Sequence, residues 1–431
     1  MNGQNAIELE LPLFSEFKKR PEKKRDLSKK NYSVISLFSG CGGLDLGFYG
    51  DFAFKGKVYE RNHFEIVKSV DFDGDAVSVF NANKKYFKNH ECDLQDVREI
   101  DEKSIPDYDI LLAGFPCQPF SNAGNREGVN DKYGRGTLFY ECERFIKAMQ
   151  SRTGGKMPAA FVFENVRGIL SSTLSDGSTV PEEIRRRMLR LGYNSVYKLF
   201  NMSDYGVPQN RYRVIIIGVR DDLPAFDFRF LDKAVQEYGI KTAKNSFYDL
   251  CLGSVLCDIP RTAANTKDIW QYSPSGQRMI EEIGSCPDGA DALTKFKTKV
   301  PLEDISPTIS QGRSWKNMAV SKMTPRFKKI YDNPEKYHSP NFYRRFALGE
   351  VCGTITASGQ PENSGITHPF ENRRFSVREI ARIQSFPDDF VFSVKSIANA
   401  YKVIGNAVPP VFAWVLAKAV EEFLDKHEKD R

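Results

Sequence analysis

The chain is poor in the residues that build metal sites and covalent cross-links. Its 431 residues include five histidines and eight cysteines, and the cysteines (positions 41, 92, 117, 142, 251, 257, 286 and 352) stand singly, without a Cys-x-x-Cys pair or a histidine at zinc-ligand spacing. No metal site and no disulfide framework is expected, and reduced thiols stay available for thiolate chemistry. There is no run of about 18 apolar residues and no charged-then-apolar leader pattern. We therefore expect no membrane association, no secretion signal and a cytoplasmic location. An excess of charge is also missing from most of the chain. The net charge is +6, and residues 18–30 alone hold eight basic side chains against two acidic ones, which accounts for all of it. Such an arm tracks phosphates without reading sequence, and a solvated tail explains it equally well, so residues 1–32 are expected to be a basic, flexible tail.

What is present is a regular alternation of apolar segments. Residues 33–38 read as a buried strand, broken by Ser39-Gly40-Cys41-Gly42-Gly43 before an apolar helical stretch. Further strands are expected at 66–70, 110–113, 160–163, 195–199 and 214–219, with helical spacing over 75–87, 138–149 and 181–191. Strands alternating with helices predict an α/β fold with a doubly wound, mostly parallel sheet. From 221 to 372 short apolar pieces are broken by Gly, Pro, Ser and Asn with Arg and Lys interspersed, the composition of a smaller, loop-rich domain that contacts something. Regular structure returns at 377–383 and 396–403. Gly405-Asn406-Ala407-Val408-Pro409-Pro410 then leads into a helix over 411–424, with Pro410 where a first turn tolerates it.

Several polar residues fall at expected strand ends, where open α/β sheets bind ligands. The turn Gly40-x-Gly42-Gly43 allows close backbone approach to a ligand, or simply serves its own backbone angles. It lacks the third glycine of a dinucleotide fingerprint: Asp45 stands there, and a phosphate would meet its carboxylate, so a ligand with a cationic centre fits better. The same gap disfavours a nicotinamide oxidoreductase. Asp71 ends the second strand and suits ribose hydroxyls, Phe72 could stack on an adenine, and Asp93 with Leu94 follows the third strand near the base. Together these suggest an adenosine-containing ligand without a phosphate chain. Gly114-Phe115-Pro116-Cys117-Gln118-Pro119-Phe120-Ser121 places one cysteine on a tight turn after the strand 110–113. A buried structural thiol is the bland alternative. Glu164 and then Arg211 and Arg213 bring a carboxyl group and two guanidinium groups to the same expected edge.

These motifs, in this order, resemble the bacterial DNA (cytosine-5)-methyltransferases of restriction-modification systems. The resemblance runs from residue 33 to about 424, through Phe38 to Gly43, Pro116-Cys117-Gln118, Glu164-Asn165-Val166, Gln209 to Arg213, Arg374 to Pro387 and Gly405-Asn406-Ala407-Val408. It implies S-adenosylmethionine as cofactor, held by Phe38, Gly40, Gly42, Gly43, Leu44, Asp71, Phe72, Asp93, Leu94, Pro116, Leu138, Asn406 and Val408. It also implies a discontinuous catalytic domain, 33–220 plus 391–431, and a target-recognition domain over 221–390.

The implied reaction is methylation of carbon 5 of a cytosine within a short specific sequence of double-stranded DNA. Cys117 attacks carbon 6 of a flipped-out base, Glu164 meets N3 and the exocyclic amine, and Arg213 and Arg211 favour the thiolate and hold O2. The segment 122–136, with Gly124, Gly128, Gly134 and Gly136, is the expected closing lid. Candidate DNA contacts are Gln118, Ser121, Arg313, Lys316, Arg344 and Arg345. The expected biological role is protection from a cognate restriction endonuclease, a functional rather than physical partner, by a monomeric enzyme. A tRNA cytosine-5 methyltransferase of the same fold is the alternative, disfavoured by the long loop-rich stretch between Arg213 and Arg374.

Overall fold

The computed structural model describes residues 7–9, 30–116, 138–152, 157–174, 176–259, 268–285, 314–334, 336, 342–358, 367–369 and 371–428. In chain order its strands are β1 (Ile7–Leu9), β2 (Tyr32–Leu37), β3 (Phe52–Phe54), β4 (Lys57–Tyr59), β5 (Phe64–Asp71), β6 (Cys92–Leu94) and β7 (Ile110–Ala113). Then follow β8 (Ala160–Val166), β9 (Tyr193–Asn201), β10 (Gln209–Asn210), β11 (Tyr212–Arg220), β12 (Cys352–Gly353) and β13 (Phe392–Val394).

A seven-stranded sheet in the order β6-β5-β2-β7-β8-β11-β9 forms the centre. The run from β6 to β8 is parallel, and β11 is antiparallel to both its neighbours. Successive side chains of a strand point to opposite faces, and both faces here are apolar, as a covered parallel sheet requires. Ile35, Leu37, Leu111, Phe161, Phe163, Val214 and Ile216 join a core with helices Phe139–Arg152 and Val180–Arg190. Val34, Ile110, Leu112, Val162, Ile215 and Ile217 face helices Gly43–Tyr49 and Pro410–His427. The doubly wound α/β fold expected from the alternation of strands and helices is the one observed.

The C-terminal helix completes the layer beside the first glycine-rich turn. A Cβ on Gly47 would lie 2.2 Å from the Ala413 Cβ, so only glycine lets these two helices cross so closely. Residues Ile397–His427 contain a window apolar enough to span a membrane, yet 94% of it is buried inside the protein. It is apolar because it is core.

Two observations bear on the tail and the small domain. Within the tail, Ile7–Leu9 pairs antiparallel with β13, Ile7 opposite Val394, so this part is an added strand rather than a free arm. Leu231, Ala234, Leu252 and Val255 on one side, and Phe375, Ile380 and Phe386 on the other, belong to the large core. A separate small core gathers Ile283, Trp315, Met318, Met323, Phe327 and Ile330.

Candidate active site

The turn after β2 is built by unusual backbone angles. Phe38, Gly40 and Gly42 have φ of 58°, 58° and 83°, the left-handed region that costs a non-glycine residue free energy and here includes a phenylalanine. Gly43 is needed for packing, since its Cβ would lie 2.2 Å from the Val408 carbonyl oxygen. Gly40 differs: a Cβ there meets nothing within 4 Å, so the turn faces open space at that point. The Gly40 amide donates to one Asp71 oxygen at 2.8 Å and the Asp73 amide to the other at 2.8 Å, tying the turn to the end of β5. Burial pushes the Asp71 carboxyl above its ordinary range, against the pull of these amides.

Beside this turn lies an apolar ledge. Leu94 is opposite Asp71 in the β5–β6 ladder. Phe72 and Leu94 are 65% and 62% exposed, unusual for large apolar side chains at the edge of a buried sheet. Asp93 is half exposed and paired to Lys68 at 2.7 Å. Asn406 is exposed, whereas Leu44, Leu138 and Val408 are buried, Leu138 within the core under helix Phe139–Arg152. Asp45 does not face a ligand. It is fully buried, accepts hydrogen bonds from Ser36 Oγ (3.1 Å) and Ser69 Oγ (3.0 Å), and burial raises its carboxyl to about 7. The helix that starts at Gly43 turns position 45 inward, so its carboxylate carries no argument about the ligand's charge.

The second part of the site lies where β7 and β8 part. Their pairing ends at Ala113 opposite Phe163, while β8 continues to Val166 against β11. Glu164 is therefore the first residue beyond the point where its parallel neighbour leaves, inside the strand rather than after it. Asn165 spans the gap, its Nδ2 donating to the Phe115 carbonyl at 3.2 Å. In the β8–β11 ladder Glu164 is opposite Ile215 and Val166 opposite Arg213, so Glu164 and Arg213 share one face diagonally. The Glu164 carboxyl and the Arg213 guanidinium meet at 2.7 Å, with both side chains about 90% buried. A Cβ on Gly114 would lie 3.7 Å from Glu164 Oε2 and 3.8 Å from the Phe38 carbonyl oxygen. The chain thus leaves β7 between the glycine-rich turn and the Glu164 carboxyl group.

Pro116 is the last residue described on this path. Cys117, Gln118, Ser121 and the segment 122–136 lie outside the described residues, as does Arg313. Of the other cysteines, Cys257 is exposed and Cys286 lies outside the described residues. Cys41, Cys92, Cys142, Cys251 and Cys352 are buried, and burial holds their thiols above the ordinary range, Cys251 at about 11.

Arg211 makes a different set of contacts from Arg213. It is fully buried and its guanidinium donates to the carbonyls of Ile355 (2.9 Å), Gly405 (2.8 Å) and Ala407 (3.0 Å), away from the Glu164 edge. Only tertiary contacts distinguish it from Arg213 two residues on. Sequence reasoning also missed Gln384, which is fully buried; among Arg378, Glu379, Arg382 and Ser385 nothing in the sequence singles it out.

The described residues expected to contact DNA in the small domain have partners within the chain. Lys316 is 1% exposed, and burial, then the Arg344 charge, lowers its amine to about 8. Arg344 pairs with Glu350 and lies over the Phe346 ring at 4.8 Å. Arg345 donates to the Pro369 carbonyl and to Asn372 Oδ1. Loop carbonyls without ladder partners need other donors, and Arg345 supplies one to Pro369, whereas Arg344 serves a carboxylate.

The fold is a doubly wound α/β fold, and Phe38, Asp71, Gly114 and Glu164 lie at the carboxyl ends of β2, β5, β7 and β8. Residues 32–422 match the model of the C-5 cytosine-specific DNA methylases. Type II methyltransferase M.FnuDI of Fusobacterium nucleatum is 32% identical over 400 residues, covering 92% of this chain and 96% of its own. Type II methyltransferase M.NgoFVII of Neisseria gonorrhoeae is 33% identical over 403 residues, covering 93% and 90%. The S. pombe Dnmt2 methyltransferase structure shares the fold, with a TM-score of 0.52 at 17% identity, over 92% of this chain and 99% of that one. The chain belongs to the C-5 cytosine-specific DNA methylase family and is a DNA (cytosine-5)-methyltransferase. Membership implies S-adenosylmethionine as methyl donor and double-stranded DNA as substrate.

Proposed function

We propose that this enzyme methylates one cytosine within a short duplex sequence through a covalent adduct on Cys117, and so protects DNA from a cognate endonuclease. The observation that carries this reading is the Glu164–Arg213 pair at 2.7 Å beside Gly114, three residues before Cys117. The cofactor reading is supported by the open space at Gly40 and the exposed Phe72 and Leu94, which suit a ribose passing the turn and an adenine against apolar side chains.

Carbon 5 of cytosine is a poor nucleophile until the ring loses its conjugation. Cys117 breaks that conjugation by adding its thiolate to carbon 6. Glu164 gives a proton to N3 as the addition pushes electrons onto the ring, and accepts a hydrogen bond from the exocyclic amine. Arg213 fixes the direction of the Glu164 carboxyl and presents its remaining N–H groups to O2. S-adenosylmethionine, when bound, supplies the electrophilic methyl group that carbon 5 takes. A base then removes the carbon 5 proton, N3 returns its proton to Glu164, and the Cys117 sulfur leaves carbon 6 as thiolate. Because carbon 6 is covered inside a stacked duplex, the base must leave the helix, at a cost of a few kcal/mol.

Transfer of tritiated methyl groups to duplex DNA and to tRNA, followed by bisulfite sequencing of the labelled duplex, tests the reading. Label in duplex DNA at one recurring cytosine is expected. Label confined to tRNA would overturn it.

A further inference from the structure

Gln209, Arg211 and Gln384 are each fully buried and bond to one another's partners. Gln384 Nε2 donates to the carbonyls of Ile404 (2.9 Å) and Ala407 (2.9 Å), and its Oε1 accepts from Gln209 Nε2. Gln209 Oε1 accepts from the Ile355 amide at 3.0 Å, while Arg211 takes the carbonyls of Ile355, Gly405 and Ala407. The carbonyls of 404, 405 and 407 lie at the end of helix Ile397–Asn406, where Ile404 accepts from the Ala407 cap amide at 3.1 Å and i→i+4 donors run out. A guanidinium there also faces the negative end of the helix dipole.

The clamped segment has neighbours on both sides. Val408 presses its carbonyl against Gly43 in the glycine-rich turn. On the other side a Cβ on Gly405 would lie 2.4 Å from the Thr356 carbonyl carbon, so residues 354–357 are wedged against it. That strip follows β12, which pairs in parallel with β10, Gln209 opposite Cys352.

We propose that Gln209, Arg211 and Gln384 are positioning residues for the cofactor: they hold 404–408 against the Gly43 turn and thereby set the affinity for S-adenosylmethionine without touching the reacting atoms. The proposal rests on the cofactor reading above.

The test compares Gln384→Ala, Arg211→Met and Arg211→Lys with the parent enzyme. Steady-state methylation of duplex DNA gives kcat and both KM values, and calorimetry with S-adenosylhomocysteine gives a direct affinity. The expected result is a rise of about tenfold in the cofactor KM and in the S-adenosylhomocysteine Kd for Gln384→Ala. Its kcat at saturating cofactor should stay within about threefold and its KM for DNA within about twofold. Arg211→Lys should fall between the parent and Arg211→Met, since an ammonium keeps the charge but not the fork that spans three carbonyls. Should Arg211→Met not fold, Gln384→Ala carries the test, having lost only side-chain amide bonds. A cofactor KM unchanged while kcat falls in step with the folded fraction would reduce the cluster to a structural role and overturn the proposal. A rise confined to the KM for DNA would overturn it in favour of small-domain placement. Failure of the parent enzyme to bind S-adenosylhomocysteine would instead sink the cofactor reading, and this proposal with it.

Discussion

Glu164 and Arg213 meet at 2.7 Å across the diagonal of the β8–β11 ladder, just past the point where β7 departs. The pair exists because antiparallel pairing puts residues 164 and 213 on one face while the parallel neighbour stops at Ala113. A carboxyl group fixed this way works in concert with its partner. Glu164→Gln should lower kcat roughly 10²- to 10⁴-fold, the usual worth of a positioned acid–base group. Arg213→Lys should lose roughly 10²-fold or more, since the charge survives but the planar fork does not. Single-turnover methyl transfer checks both, with gel-shift binding expected to change little.

The two glycines of the turn should fail differently. Gly43→Ala forces a methyl group into the Val408 carbonyl, so lower thermal stability and poor soluble yield are expected. Gly40→Ala meets only open space and the cost of a positive φ, about 1–2 kcal/mol. Its fold should survive while the cofactor KM rises. Thermal melts with and without S-adenosylhomocysteine separate the two cases.

Asp45 predicts a pH dependence of stability. Its carboxyl is raised from 3.8 to about 7, so the folded state holds a proton that the unfolded state has lost. Stability from this group is present below about pH 4 and declines as pH rises toward 7. Asp45→Asn should flatten that decline, by at most a few kcal/mol. Chemical denaturation at pH 5 and pH 8 for parent and variant is the check, and an unchanged difference between the two pH values would contradict the burial argument.

Arg345→Ala tests whether this small-domain arginine serves the fold or the DNA. It should lower the melting temperature, because the Pro369 carbonyl and Asn372 lose their donor. The slope of log binding constant against log salt should stay the same, whereas a phosphate contact would reduce it by about one.

Much of this was legible in the residues. The apolar runs 110–113 and 160–163 are buried on both faces, so their composition announces strands, and the motif order fixes which strand ends carry polar groups. What was not legible depends on contacts far along the chain. Arg211 and Arg213 look equivalent two residues apart, yet Arg211 meets carbonyls 144 to 196 positions away. Asp45 looked like ligand chemistry because a turn motif does not say which face of the following helix a residue takes. Lys316, Arg344 and Arg345 looked like surface cations because composition cannot reveal the loop carbonyls and carboxylates that a buried cation satisfies.

The central claim is that Cys117 forms a bond to carbon 6 while carbon 5 is methylated. Duplex DNA carrying 5-fluorocytosine at the target position measures this directly, because fluorine leaves no proton for the elimination step. With S-adenosylmethionine present, the account predicts a stable protein–DNA adduct that survives denaturing electrophoresis, maps by mass spectrometry to the peptide containing Cys117 and is absent in Cys117→Ser. An enzyme active on ordinary duplex DNA that forms no adduct with the fluorinated one would contradict it.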